Sequence, residues 1–201
     1  MTTEQLRHRM PPILKALKER SLRGRTPVEG LRRTECAYHG WDTVHADAAS
    51  WEPFAPGDAF GGLEAHHCFK GTVTLPEASA GKRVVCLVST GASDIWNNNN
   101  PQFLAYVDGR LVCGLDVNHN EFDLAACAVP GESHELALYV YCNTPARDVF
   151  LRVETAERDD DVTGLYYDLR APYEVCALLA DDDTRAIGIM KHLNRALNLL
   201  D

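Results

Sequence analysis

A dense group of polar side chains between positions 116 and 121 offers the residue types best suited to chemistry in this sequence. Its members are Asp116, Asn118, His119 and Glu121, which supply carboxylate, amide and imidazole groups. If the segment is extended, Asp116 and Asn118 share one face of a strand. His119 and Glu121 then share the opposite face. The run predicts contact with a sugar or a partner domain, or else a structural loop whose Asp and Asn side chains bond their own backbone.

Aromatic side chains are the second kind of candidate, because their rings stack on sugars. The chain has three tryptophans, Trp41, Trp51 and Trp96, and Trp96 is the strongest candidate since it precedes a run of four asparagines. Most tryptophans, however, anchor a core or an interface. No nucleophile elbow, phosphate loop or Cys-His arrangement is present. The sequence therefore predicts binding residues but no catalytic residue.

Composition limits the class of protein. The chain has 201 residues, of which 45% are hydrophobic, and its formal net charge is −9. That length and apolar content suit one domain with a real core, with or without appended helices. The acidic balance argues against nucleic acid and an anionic membrane surface as partners. No apolar run approaches the roughly 20 residues that cross a bilayer.

The cysteines indicate a reducing compartment. They number seven, no two form a C-x-x-C pair, and most lie in apolar strand patterns. This usage predicts buried free thiols in a cytoplasmic protein. The N-terminus also lacks the basic-then-apolar pattern of a secretory signal.

Short β-strands must position the polar run. Strands rich in Val, Leu, Phe and Tyr are predicted at 31–38, 64–75, 83–90, 102–107, 110–114, 121–127, 134–142 and 148–156. Asp108-Gly109 joins two of them as a tight hairpin, because glycine tolerates the positive φ of such a turn. No helical repeat lies between consecutive strands, which favours antiparallel pairing. We predict a mostly β fold, an antiparallel β-sandwich of jelly-roll-like form with helices at the N- and C-terminal ends.

Apolar residues recur at helical spacing near both ends of the chain. Residues 3–21 are predicted to be helical, with a break at Pro11-Pro12, and residues 23–27 are predicted to be a linker. Residues 165–180 and 182–200 are helical again. The last helix carries an apolar stripe of Ile187, Met190, Leu193, Leu197 and Leu200.

The apolar stripe continues to Leu200, one residue before the end of the sequence, which is typical of a piece of a longer protein. We expect the stripe to pack on the sandwich or on a following domain. The predicted organisation is a helical segment and linker at 1–30, a sandwich at 31–160 and a C-terminal helical segment at 161–201.

Four stretches, in order, resemble the N-terminal β-sandwich region of glycoside hydrolase family 38 α-mannosidases. Residues 68–76 (CFKGTVTLP) resemble a "WF+xxVxLP" strand, with Cys68 where tryptophan is usual. Residues 114–121 (GLDVNHNE), which follow Asp108-Gly109, resemble a run of the form "G-x-D-x-x-H-x-E". Residues 164–170 (GLYYDLR) resemble the segment that leads out of the sandwich. Residues 193–201 (LNRALNLLD) resemble the "LNxAxNLLD" helix ahead of the catalytic domain.

This resemblance implies the non-catalytic N-terminal domain of a cytoplasmic α-mannosidase that hydrolyses terminal α-linked mannose residues. The zinc ligands and the nucleophilic Asp would lie in a catalytic domain beyond position 201. The chain would brace that domain, help to form a homo-oligomer and line the entrance for α-mannosides. The alternative is a stand-alone carbohydrate-binding jelly-roll module.

Two short segments contain histidines that could be metal ligands. His45-Ala46-Asp47 has the His-x-Asp form through which the family's catalytic domains bind zinc, but it precedes the sandwich strands and no second ligand cluster is evident. Zinc needs three or four converging ligands. His66 and His67 are adjacent in a predicted strand, so they point to opposite faces and cannot bind one ion together. We therefore predict no metal and no cofactor in this segment.

Overall fold

The computed structural model describes residues 3–91, 101–180 and 182–200. The chain divides into two compact units: residues 24–157 form one, and residues 1–23 with 158–201 form the other. Within the described ranges, no helix is both long enough and apolar enough to span a membrane.

The chain begins with a helix, continues through ten strands with a one-turn helix between the second and the third, and ends with two helices. The helices are α1 (Thr3–Ser21), α2 (Trp41–Val44), α3 (Asp160–Leu178) and α4 (Thr184–Leu197). The strands are β1 (Leu22–Pro27), β2 (Arg32–Glu35), β3 (Glu52–Pro53), β4 (Ala59–Thr74), β5 (Arg83–Ser89), β6 (Gln102–Val107), β7 (Arg110–Leu115), β8 (Glu121–Ala125), β9 (Ser133–Phe150) and β10 (Arg152–Arg158).

The strands form two antiparallel sheets that pack as a sandwich, which confirms the predicted fold class. One sheet has the order β1-β10-β5-β8, and the other has the order β3-β2-β4-β9-β6-β7. The two longest strands, β4 and β9, pair from Ala59↔Phe150 to Thr74↔Ser133. The tight hairpin is also confirmed, because Val107 pairs with Arg110 around Asp108-Gly109, both of which have positive φ.

Alternation along β9 separates the two faces of the six-stranded sheet. Leu138 and Val140 are fully buried in the core between the sheets. Ala137 and Tyr139 point the other way and join a smaller cluster with Cys68 and Tyr106. Successive side chains of a strand lie on opposite faces, so the smaller cluster marks the outer face of this sheet. The candidate site lies on that outer face.

The basic segment at 23–27, which we expected to be a linker, lies in strand β1. Val28 donates its N–H to the Val153 carbonyl over 2.9 Å, and Arg25 forms an ion pair with Glu154, so the segment runs along β10. β1 is an edge strand, and five of its six residues are exposed. An edge strand that buries almost nothing shows no apolar alternation, so periodicity could not reveal it.

The chain ends differ from the expectation in two ways. α1 continues through Pro11 and Pro12, which are both exposed, because Leu6 and Met10 on its other face are buried. The second difference concerns the α4 stripe. Its members Met190, Leu193 and Leu197 are buried with residues of α1 and α3 inside the helical unit.

Two smaller differences lie within the sandwich unit. The interval between the predicted strands at 134–142 and 148–156 is part of β9, which continues to pair with β4 through an irregular register near Gly62. A proline without an N–H is tolerated at such an irregularity. The one-turn helix α2 also shows that helices are not confined to the ends of the chain.

Candidate functional site

An open pocket of about 720 Å³ lies on the outer face of the six-stranded sheet. Its lining combines aromatic rings, imidazoles, an amide and two carboxylates. The lining residues are Tyr38, His39, Glu64, His66, Gln102, Phe103, Leu104, Gly114, Leu115, Asp116, Tyr139 and Tyr141.

Side chains from three paired strands form the floor of the pocket. Tyr141 of β9 pairs with His66 of β4 on one side and with Gln102 of β6 on the other, so the three side chains share one face. The His66 ring stacks on Tyr139, with centroids 5.8 Å apart and planes 14° apart, and its centroid lies 5.2 Å from that of Tyr141. Together these rings form an aromatic platform.

The turn after β2 supplies one wall. It carries Tyr38 and His39, whose rings lie 3.8 Å apart, and the His39 N–H donates to Tyr139 Oη over 3.2 Å. Tyr139 Oη also lies 2.7 Å from His66 Nδ1, which ties the wall to the floor. Burial raises the pKa of Tyr139, so its hydroxyl keeps its proton. Gly40 closes the turn, since a Cβ there would lie 2.5 Å from the Tyr139 ring.

Two carboxylates stand on separate elements of the pocket. Glu64 lies at an irregularity of β4 and has a φ of 50°, which L-residues rarely adopt. His39, in the turn after β2, also has positive φ, at 68°. Backbone strain of this kind costs about 1–3 kcal/mol per residue and is concentrated at functional sites. The second carboxylate, Asp116, follows β7.

The polar run that begins at Asp116 is not extended. It forms a turn in which an Asp side chain bonds nearby backbone, as in the structural-loop alternative. Asp116 Oδ1 accepts the N–H groups of Asn118 and His119, each over 2.7 Å, and lies 3.2 Å from His119 Nδ1. These local bonds compete with strand pairing and bend the chain. The bond from the His119 N–H is the main reason why the pKa of Asp116 is lowered.

The remaining predicted binding residues are not all brought into the pocket. Asn118 and His119 are exposed on the turn, and Glu121 begins β8 opposite Leu87. Of the predicted set, Asp116 lines the pocket. Trp96 lies outside the described residues.

The other two tryptophans lie near the outer face. Trp51 packs against the small cluster around Tyr139, as an anchor would. Trp41 is 59% exposed, and its ring centroid lies 4.5 Å from that of His45.

The histidine pairs do not offer a zinc site. His45 Nδ1 lies 2.8 Å from the Trp41 carbonyl oxygen and its Nε2 lies 3.0 Å from that of Gly109, while Asp47 accepts the Ala49 N–H. Over residues 3–91, 101–180 and 182–200, no three His, Cys, Asp or Glu side chains converge on one point. His66 lies in the outer pocket and His67 is buried against Phe60 on the inner side, which confirms that they point to opposite faces.

The chemistry of the pocket suits a small polyhydroxylated ligand. Aromatic rings take the apolar face of such a ligand. Carboxylates and the Gln102 amide are acceptors and donors for hydroxyl groups. No Lys or Arg is among the described lining residues, so the pocket carries no permanent positive charge.

Sequence reasoning missed most of this site. Tyr38, Glu64, Gln102 and Tyr141 come from four separate segments, and none of them stands in a motif. One local signal was present. Glu64 directly follows Gly61-Gly62-Leu63, and glycines inside a strand pattern often mark a bulge.

The protein is similar to solved structures, but its sequence does not match a known family. No family model matches the sequence, and no curated protein matches it. Among solved structures, a β-glucuronidase from Bacteroides uniformis matches with a TM-score of 0.48 and 11% identity, over 67% of this chain and 18% of that one. A β-glucuronidase from Ruminococcus gnavus matches with a TM-score of 0.49 and 8% identity, over 67% and 28%.

A β-glucuronidase from Faecalibacterium prausnitzii matches with a TM-score of 0.43 and 14% identity, over 68% of this chain and 32% of that one. The chain therefore spans about a third or less of each of these enzymes. Similarity at this identity concerns the fold alone. The resemblance to α-mannosidases stays a prediction.

Proposed function

We propose that this chain is a non-catalytic β-sandwich module of a cytoplasmic α-mannosidase, and that its outer-face pocket contacts the α-mannoside. One observation carries the proposal. Asp116, which begins the polar run of the α-mannosidase-like motif, lines the same pocket as the neighbouring rings of His66, Tyr139 and Tyr141. A motif residue and an aromatic platform thus meet in one open cavity.

The groups in the pocket fit a neutral pyranose. The rings of Tyr38 and Tyr141 offer faces for the C–H side of a sugar, and Glu64 and Asp116 accept hydrogen bonds from its hydroxyls. Hydrogen bonds to charged groups contribute about 1.5–3 kcal/mol each. An acidic sugar would place its own carboxylate beside these two anions, which costs free energy.

The test is a titration of the chain with methyl α-D-mannopyranoside, in which binding is monitored by the NMR chemical shifts of the backbone amides. We expect shifts at the pocket residues and a dissociation constant on the order of 1 mM, which corresponds to roughly −4 kcal/mol. Methyl β-D-glucuronide should bind at least tenfold more weakly because of its charge. No shift in the pocket with any neutral hexoside would refute the saccharide role.

A pair of tyrosine variants makes the test specific. Tyr38→Ala removes an exposed ring from the pocket wall, and Tyr167→Ala removes an exposed ring from α3, outside the pocket. We expect the first variant to weaken binding at least fivefold and the second to bind as the unchanged chain does. Equal losses in both variants would show that binding is not at the pocket.

The link to an α-mannosidase has its own test. The natural protein should carry a further domain with a converging zinc-ligand set and turn over an aryl α-mannoside. If it lacks that domain but binds mannosides, the chain is the stand-alone carbohydrate-binding module. The pocket would serve either protein.

A further inference from the structure

Two cysteines meet in the small cluster on the outer face of the six-stranded sheet. Cys68 lies in β4 and is fully buried, while Cys36 directly follows β2 and is half-buried. The Cys36 N–H donates to the His66 carbonyl over 3.0 Å, which extends the β2–β4 pairing past Glu35. This pairing holds the Cys36 and Cys68 sulphurs 3.4 Å apart.

The contact makes the two thiols unequal. The Cys68 S–H donates to the Cys36 sulphur, which lowers the pKa of Cys36, whereas the same bond and burial raise the pKa of Cys68. A thiolate is the reactive form of cysteine. Cys36 is therefore suited to attack a disulfide, and Cys68 is suited to hold its proton until a second step.

We propose that Cys36 and Cys68 are a reactive dithiol, which a small disulfide such as oxidised glutathione converts into a Cys36–Cys68 disulfide. The Cys36 thiolate attacks one glutathione sulphur, forms a mixed disulfide and releases a glutathione thiolate, which takes up a proton. Cys68 then loses its proton and attacks the Cys36 sulphur, which releases the second glutathione. The two protein thiols are oxidised by two electrons, and glutathione disulfide is reduced to two thiols.

The fold needs only a small adjustment for this bond. The sulphurs must approach by about 1.4 Å, from 3.4 Å to the disulfide length of about 2.0 Å. Cys36 directly follows β2 and precedes the turn from Ala37 to Gly40, and rotation of its side chain leaves its N–H bond to the His66 carbonyl in place. The reaction uses these two protein sulphurs and glutathione disulfide, and it is independent of what the pocket binds.

The test is mass spectrometry of the full chain with Cys127→Ser, which removes the exposed thiol. After incubation with oxidised glutathione, we expect the native protein to lose two hydrogens, and its digest to contain a linked pair of Cys36 and Cys68 peptides. Dithiothreitol should reverse both changes. Adding Cys68→Ser should leave a stable glutathione adduct on Cys36, while adding Cys36→Ser should prevent both the disulfide and that adduct.

Cys113→Ser is the matched control, because Cys113 is also half-buried. It should leave the yield of the Cys36–Cys68 disulfide unchanged. Should Cys68→Ser fail to fold, the peptide map of the Cys127→Ser protein decides alone. Free Cys36 and Cys68 thiols after prolonged incubation, or a linked peptide pair with other cysteines, would overturn the proposal.

Discussion

At the scale of single residues, His45 joins two segments that are far apart in the chain. Its ring nitrogens contact the carbonyl oxygens of Trp41 and Gly109. An imidazole carries an N–H on both nitrogens only when it is protonated. The Trp41 carbonyl, and after it that of Gly109, therefore raises the pKa of His45 above its ordinary value of 6.5.

This raised pKa predicts a pH-dependent stability. A group whose pKa is higher in the folded state stabilises the fold fully below its unfolded pKa, and the effect is lost as the pH rises through the folded pKa. We expect His45→Gln to lower the melting temperature most below about pH 6 and progressively less towards pH 8. The control is His192→Gln, at an exposed histidine of α4. A pH-independent difference for His45→Gln would contradict the prediction.

Asp116 is the second residue with a testable local role. Its carboxylate accepts two backbone N–H groups, so Asp116→Ala should lower the free energy of unfolding by about 1 kcal/mol. Asp116→Asn keeps an acceptor and should lose less. The lowered pKa of Asp116 means that its contribution is present above its unfolded pKa and is lost as the pH falls through the folded value.

Urea unfolding at pH 7 and at progressively lower pH measures both effects of Asp116. Asp168→Ala, at an exposed position of α3, is the control and should change stability by less than about 0.5 kcal/mol. If Asp116→Ala behaves like this control, the carboxylate does not hold the turn.

At the scale of elements, the stability of α4 depends on the packing of its buried apolar face. Leu197 is fully buried among α1 and α3, whereas Leu200, just beyond the helix, is 46% exposed. We expect Leu197→Ala to cost about 2–5 kcal/mol, because it removes buried methyl groups and leaves a cavity. Leu200→Ala should lower the free energy of unfolding far less. Loss of the helical circular dichroism signal in urea measures the stability of both variants. Equal losses would show that α4 does not pack through the face that carries Leu197.

At the scale of the whole molecule, the described residues lack a converging ligand set for zinc. We expect residues 1–201 to bind no stoichiometric zinc and to leave an aryl α-mannoside intact when zinc is added, since zinc requires three or four ligands. Metal analysis and release of the aryl alcohol measure this. One zinc per chain together with hydrolysis of the aryl α-mannoside would contradict the prediction and would show that this chain contains catalytic residues.

The sequence by itself determined the elements whose physics is local. Apolar runs separated by turn residues indicated most strands of the sandwich, and Asp108-Gly109 indicated its hairpin, because side-chain alternation and positive φ are properties of neighbouring residues. The same reasoning found the helices at the two ends. It missed β1, whose exposed edge position leaves no alternation, and it broke α1 at Pro11-Pro12, where packing of Leu6 and Met10 outweighs local propensity.

Only the tertiary structure decided the site. Glu64, Gln102 and Tyr141 meet because β4, β9 and β6 pair in a register that no local pattern encodes, although the fold class of the sheet was predictable. Tyr38 joins them from the turn after β2, which pairs with β4. The same pairing brings Cys36 to Cys68 across 32 positions. Asp116 was identified from its polar neighbourhood, yet its turn and its place in the pocket depend on where β7 ends. Local composition sets which segments become strands, and the non-local pairing of those strands sets which side chains share a cavity.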